Sequence, residues 1–192
     1  MTNQPIRLLG VAGSLRKGSY NRALLHAAQE LAPSGMKIEL FEGLADIPLY
    51  NEDVEKVGAP EPVLKLKQAI ADADGLLIAT PEYNYSVPGV LKNAIDWASR
   101  PPKDTPLHDK PAGIIGASIG TGGTIRAQLL LRQSFVFTRT PTFLTPEVLV
   151  TTAQSKFDAE GKLTDEATRK VLADYLDKLQ TWMRRQLASM KT

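Results

Sequence analysis

The residues best equipped for chemistry stand in one short stretch, Gly13-Ser14-Leu15-Arg16-Lys17-Gly18-Ser19-Tyr20-Asn21. Ser14, Ser19 and Asn21 are short hydrogen-bond donors. Arg16 carries a permanent charge on a planar fork that matches phosphate oxygens. Gly13 and Gly18 let the backbone turn tightly and approach a ligand. An apolar run, Ile6 to Ala12, enters the stretch, and an alanine- and leucine-rich helical pattern, Arg22 to Ala32, leaves it. Strand, polar loop and helix start together aim free N–H groups and the positive end of a helix dipole at one point, which is where phosphate binds. The same residues also fit a plain strand-to-helix turn with Ser19 as the cap.

Two further stretches carry chemistry. Thr80-Pro81-Glu82-Tyr83-Asn84-Tyr85-Ser86-Val87-Pro88 sets flat amphipathic rings on either side of Asn84, with prolines stiffening both ends. Ser118-Ile119-Gly120-Thr121-Gly122-Gly123 offers bare backbone. Rings and fixed amides suit a planar heteroaromatic ring with carbonyls and ring nitrogens, and phosphate at the other end of one crevice completes a mononucleotide. Taken alone, Tyr83 and Tyr85 are better read as loop side chains packed on a neighbouring helix or a second subunit. The phosphate loop is what makes them a ring site.

What the chain lacks narrows the chemistry. It has no cysteine, which removes disulfides, thiolate nucleophiles, zinc–thiolate sites and iron–sulfur clusters. The formal net charge is +2, with acidic and basic residues interspersed, which argues against a nucleic-acid partner. Hydrophobic content of 43% and charged content of 23% are those of a globular chain, and the length suits a single domain over 1–192. No apolar run is long enough for a bilayer and no cleavable leader is visible, so no membrane partner and a cytoplasmic location are expected.

The elements that must position these loops follow from the apolar pattern. Strands are expected at Ile6–Ala12, Met36–Phe41, Gly75–Ala79, Ala112–Ala117 and somewhere within Thr142–Val150. Helices are expected at Arg22–Ala32, from Pro60 to about Asp72, from Pro88 through Trp97, over Thr124–Phe137, and along the series Leu172, Leu176, Leu179, Met183, Leu187. Glu42 to Pro60 shows no sustained period and reads as a surface loop. Strands alternating with helices imply a doubly wound α/β fold, a five-stranded parallel sheet of flavodoxin-like order 2-1-3-4-5 with helices on both faces. The three polar loops then meet beyond the carboxyl ends of the strands, at the switch point between the first and third.

Here the chain resembles a known family. The first loop is similar to the phosphate signature of the NADPH-dependent FMN reductases, Gly-Ser-x-Arg-x-x-Ser-x-Asn. Pro81-Glu82-Tyr83-Asn84-Tyr85-Ser86, followed by Pro88-Gly89-Val90-Leu91-Lys92-Asn93-Ala94-Ile95-Asp96-Trp97, resembles its flavin-ring loop and the helix after it. The bacterial quinone and chromate reductase branch is nearest. The resemblance extends through about Ser118, and beyond that by pattern only. It implies that Ser14, Arg16, Ser19, Tyr20 and Asn21 hold the FMN phosphate and ribityl end, with Leu15, Lys17 and Gly18 in the same loop giving backbone contact. It implies that Pro81, Glu82, Tyr83, Asn84 and Tyr85 hold the isoalloxazine, chiefly through backbone groups, and that Ser118 closes the site. Flavin N5 would carry the chemistry, so no catalytic side chain is expected, and NADPH or NADH would serve as hydride donor in a ping-pong cycle. Quinones, and with them chromate or azo compounds, are the expected acceptors, and a homodimer or homotetramer the expected assembly.

Other residues are weighed against blander roles. Arg100 is a candidate for attracting nucleotide phosphates or an anionic oxidant, against a plain solvated arginine. His26 and His108 read as surface and structural residues, Asp72 and Asp74 lie at the wrong end of the sheet, and Trp97 packs in a core or at an interface. Arg126, Arg132 and Arg139 read as a solvated or subunit-contacting face, with Glu147 a partner for them across an interface. The rivals are a one-electron carrier of the flavodoxin kind, against which Arg16 and the positive net charge both count, and a redox-sensing flavoprotein.

Overall fold

The computed structural model describes residues 4–190. Its five strands, β1 (Ile6–Ala12), β2 (Met36–Leu40), β3 (Gly75–Ala79), β4 (Ala112–Ala117) and β5 (Val148–Val150), form a parallel sheet of order 2-1-3-4-5. The central strands β3 and β4 are buried along their whole length, as their unbroken apolar runs require. The edge strand β2 alternates buried Met36 and Ile38 with Lys37 and Glu39. The chain leaves β1 toward β2 on one side and takes up β3 on the other. The helices after β1 and β3 therefore pack on opposite faces of the sheet, which places a crevice at the switch point between those strands.

Helices cover both faces. On one, α1 (Tyr20–Leu31) and α6 (Glu166–Ser189) set Leu24, Leu25, Leu172, Leu176, Leu179 and Met183 against Leu8, Leu77 and Ile115. On the other, α3 (Glu61–Asp72), α4 (Gly89–Ala98) and α5 (Ile125–Val136) set Leu66, Leu91, Trp97, Leu131 and Phe135 against Val11, Ile78 and Ile114. Each fully buried leucine or phenylalanine contributes about 1.5–3 kcal/mol. Trp97 belongs to this core, with its indole N–H donating to the Pro48 carbonyl at 2.8 Å. Tyr175 is wholly buried, and burial pushes its phenol well above the ordinary range. It therefore stays protonated and donates to the Ile114 carbonyl at 3.2 Å. No helix among the described residues is long and apolar enough to cross a membrane.

The segment expected as a surface loop, Glu42 to Pro60, holds more structure than that. A 3-10 turn spans Gly43–Asp46, and a short helix, α2, spans Glu52–Val57. Asn51 caps α2 by accepting from the Asp53 N–H, Glu52 and Lys56 pair one turn apart at 3.2 Å, and Gly58 ends it at φ 131°. Local capping holds this helix, since none of its residues is buried, and so few residues leave no apolar period to read. The structure also starts α1 two residues before the expected Arg22, because the Ser19 side chain caps it, and narrows the fifth strand to Val148–Val150.

Candidate functional site

The first loop is locked at both ends. The Gly13 N–H extends the ladder by donating to the Ala79 carbonyl at 2.9 Å, and a Cβ on Gly13 would lie 3.2 Å from the Pro81 ring and 3.0 Å from Leu91. At the other end the Ser19 hydroxyl accepts from the Arg22 N–H at 3.4 Å, and the Ser19 N–H donates to the Arg16 carbonyl at 3.1 Å. The first N–H groups of α1, those of Tyr20 and Asn21, face out of the helix without an intrahelical acceptor. Arg16 lies over the Tyr20 ring at 5.4 Å. Among the described residues neither Arg16 nor Lys17 has a carboxylate within ion-pair distance, whereas Arg22, one turn into α1, pairs with Glu42 at 2.8 Å. The loop therefore gathers unanswered positive charge and free N–H groups.

Asn21, expected at the phosphate and ribityl end, has a structural task as well. Its side chain is 3% exposed and is spent on the end of β4, donating to the Ala117 carbonyl and accepting from the Ala117 N–H, each at 2.9 Å. It bolts the first loop to the end of β4, where the third loop begins.

The tyrosine loop closes as a two-residue turn. Tyr83 and Ser86 exchange backbone hydrogen bonds of 3.2 and 3.0 Å, and the residues between them, Asn84 and Tyr85, sit at φ 50° and 62°. Both central residues at positive φ make this a type I′ turn. Neither is glycine, and such conformations cost about 1–3 kcal/mol each and collect at ligand clamps. The turn leaves Tyr83 50% and Tyr85 68% exposed at the crevice rim. The Tyr83 hydroxyl is 3.3 Å from that of Ser14, so the first and second loops touch at their tips. Beneath them, Thr80 is fully buried and donates to the Pro81 carbonyl at 2.8 Å.

The third loop approaches from β4. The Ser118 hydroxyl accepts from the Gly120 N–H at 3.1 Å, and the Ser118 carbonyl accepts from Ala153 at 3.0 Å, tying the loop to the segment after β5. Gly116 is obligatory beneath it, because a Cβ there would lie 1.8 Å from the Thr124 hydroxyl and 2.7 Å from the Thr80 carbonyl. The rim at Gly120 and Gly122 stays bare, the nearest atoms to an added Cβ being 3.6 Å away. Two hollows flank the first loop. One of about 130 Å³ opens beside Ser14, Leu15 and Phe41, and a groove of about 520 Å³ separates Lys17–Tyr20 and His26 from the Asp158–Gly161 turn.

Two residues of the site were not expected to share it in this way. The Glu82 carboxylate accepts from the backbone N–H groups of Arg126 and Ala127 at 2.9 and 3.1 Å, and from the Arg126 guanidinium at 3.1 Å. Arg126, read from the sequence as part of an outer face, lies over the Tyr85 ring at 4.1 Å. The signal that marks it is its place in the first turn of the helix that follows the glycine-rich loop.

Arg100 does not join them. It follows the end of α4 remote from the tyrosine turn, a helix length of about 15 Å away, where its carbonyl accepts from Lys67 and its guanidinium lies over Phe137 at 5.4 Å. His26 pairs with Gln29 at 3.1 Å on the outer face of α1, and His108 with Asp109 at 3.1 Å in the loop before β4. Asp74 accepts from the Arg7 N–H at 2.8 Å at the opposite end of the sheet. Arg132 reaches the Phe143 carbonyl at 3.4 Å, Arg139 pairs with Asp109, and Glu147 is exposed.

The chain is similar throughout to proteins of one kind. Residues 6–155 match the model of the family described as NADPH-dependent FMN reductase. An NAD(P)H-dependent FMN reductase of Pseudomonas aeruginosa is 53% identical over 94% of this chain and 96% of its own. A 2-hydroxy-1,4-benzoquinone reductase of a Burkholderia species is 44% identical over 93% and 97%. Among solved structures, the flavoenzyme NAD(P)H:acceptor oxidoreductase FerB of Paracoccus denitrificans superposes with a TM-score of 0.86 at 38% identity, over 94% of this chain and 98% of that one.

Proposed function

The chain belongs to the NADPH-dependent FMN reductase family, and from that membership we propose that it is an FMN-containing enzyme that oxidises NAD(P)H and reduces quinones. The observation that carries the reading is the meeting of an unanswered cationic loop with a strained tyrosine turn at one switch point, hydroxyl to hydroxyl at 3.3 Å. The donor set fits FMN: cations and free N–H groups at one end, a rim of rings and bare backbone at the other. Bound FMN supplies the two-electron chemistry, hydride from a nicotinamide in and electrons to an acceptor out.

Within this reading the chain's own groups bind and orient. Arg16, Lys17 and the backbone of Leu15, Gly18, Ser19 and Tyr20 hold the phosphate, and Ser14 reaches the ribityl chain. Pro81 to Tyr85 hold the ring through main-chain groups, and Ser118 closes the third side. Asn21 acts as the bolt between loops. Donor and acceptor use one open face in turn, so initial-velocity lines run parallel, and intersecting lines would defeat the ping-pong order. An open face also admits chromate and azo compounds. The assembly is a homodimer or homotetramer of single-domain chains, working in the cytoplasm where NAD(P)H is supplied.

The test is the visible spectrum of the purified protein. A yellow protein that bleaches with NADPH under anaerobic conditions and recovers with a benzoquinone is expected. A colourless protein that takes up no added FMN would sink the reading.

A further inference from the structure

Helices α1 and α6 cap themselves, through Ser19 and Asp165. The helix α5 does not: its N-cap residue Thr124 makes no side-chain capping bond, and the acceptor for its first turn comes from 44 residues away. That acceptor is Glu82, inside the tyrosine loop. Its Oε2 takes the N–H groups of Arg126 and Ala127, its Oε1 takes the Arg126 guanidinium, and its side chain is only 10% exposed. A negative charge at a helix N-terminus is favourable through the helix dipole as well as through the bonds themselves.

We propose that Glu82 is a positioning residue for the flavin ring, whose carboxylate clasps the ring-binding turn to α5 and, through Arg126, fixes the Tyr85 ring. The inference rests on the FMN reading above. Its logic is mechanical. Asn84 and Tyr85 hold positive φ only if their surroundings over-determine them. The two backbone bonds of the turn do not fix where the turn points; the clasp does. Arg126 lies 4.1 Å from the Tyr85 ring centre because its guanidinium is held from below by Glu82. The third loop ends at Thr124, so the same clasp sets the distance between the two loops that flank the ring.

The experiment compares Glu82→Gln and Arg126→Lys with the unaltered chain. Glu82→Gln keeps side-chain length and one acceptor but turns an amide group toward N–H donors. Affinity for FMN and for riboflavin is expected to fall by the same factor, about tenfold, the scale of one charge-assisted hydrogen bond. Equal losses mark the ring end, because the phosphate loop contributes to FMN alone. In the flavin-free protein, amides of Tyr83 to Ser86 and of Arg126 and Ala127 should exchange faster with deuterium. Arg126→Lys, which keeps the charge and loses the fork, should fall between.

Faster exchange with flavin affinity unchanged would overturn the proposal, leaving Glu82 a helix cap and nothing more. Unchanged exchange would overturn it as well. An unaltered chain that binds no flavin would fail the cofactor reading and the positioning role with it, leaving Glu82 a helix cap whatever the exchange comparison gives.

Discussion

A guanidinium with no carboxylate to answer it, set beside the first turn of a helix, has a standing preference for an anion, and Arg16 stands in that position. Hydrogen bonds to charged groups are worth about 1.5–3 kcal/mol, so Arg16→Ala should weaken FMN binding by about 10- to 100-fold. Riboflavin, which lacks the phosphate, should lose almost nothing, and fluorescence titration with both flavins checks the difference. An equal loss for the two would move Arg16 away from the phosphate. Asn21 makes the opposite case. Removing its amide strands the N–H and carbonyl of Ala117, both buried, so Asn21→Ala should destabilise the chain by about 2–4 kcal/mol. The urea midpoint should fall with the slope unchanged. The first loop and its cap at Ser19 were legible in the sequence because they are local, a few residues around one turn. The hydrogen bonds that Asn21 and Glu82 make were not legible, because their partners lie 96 and 44 residues away. No spacing rule separates an amide that meets a ligand from one that meets a distant strand.

At the scale of elements, the buried strands could be read from unbroken apolar runs, and their order from the alternation of strands with helices. The helix α2 could not, because it has no apolar face and is held by its caps. The helix α6 shows how much a cap can do. Its apolar series begins at Leu172, yet the helix starts at Glu166, since Asp165 accepts from both the hydroxyl and the N–H of Thr168. Those hydrogen bonds, the hydroxyl's first, hold the Asp165 carboxyl below its ordinary value of 3.8. A folded-state value below the unfolded one means that the ionised cap stabilises above the unfolded value, and that this stability is lost as pH falls through the folded one. Asp165→Ala should therefore melt a few degrees lower at neutral pH, with the gap closing in acid. Thermal melts of both chains across that range check it, and a gap that widened in acid would overturn it. The tyrosine turn answers to a different rule. Asn tolerates positive φ and β-branched residues do not, so Asn84→Val should cost about 1–2 kcal/mol and weaken flavin binding.

On the whole molecule, α5 leaves apolar side chains exposed on the side away from the sheet. Ala127, Leu131 and Phe135 are buried against the sheet, while Leu129, Val136 and, just past the helix end, Phe137 stand 55, 74 and 63% exposed, Leu129 two turns away from the others. Large apolar side chains left exposed on one helix mark a contact surface, and the polar Arg132 and Gln133 between them suit its rim. These side chains start one turn below Arg126, so a second chain packed along them reaches the rim of the crevice at Tyr85. Such a partner would cover the open side of the ring while leaving the phosphate loop of each chain intact, which is why a symmetric assembly suits this site. Burying a leucine or phenylalanine contributes about 1.5–3 kcal/mol, and a two-fold axis counts each residue twice. Leu129→Glu combined with Phe137→Glu should therefore raise the dissociation constant of the assembly by at least about 100-fold. Sedimentation velocity is the measurement, run on the flavin-loaded protein so that fluorescence reports the ring in the same cell. Dissociation with a rise in flavin fluorescence is the expected pair of results, since a ring that loses its wall meets solvent. An unaltered chain that sediments as a monomer and still turns over would leave α5 an apolar surface without a partner, and the crevice complete in one chain.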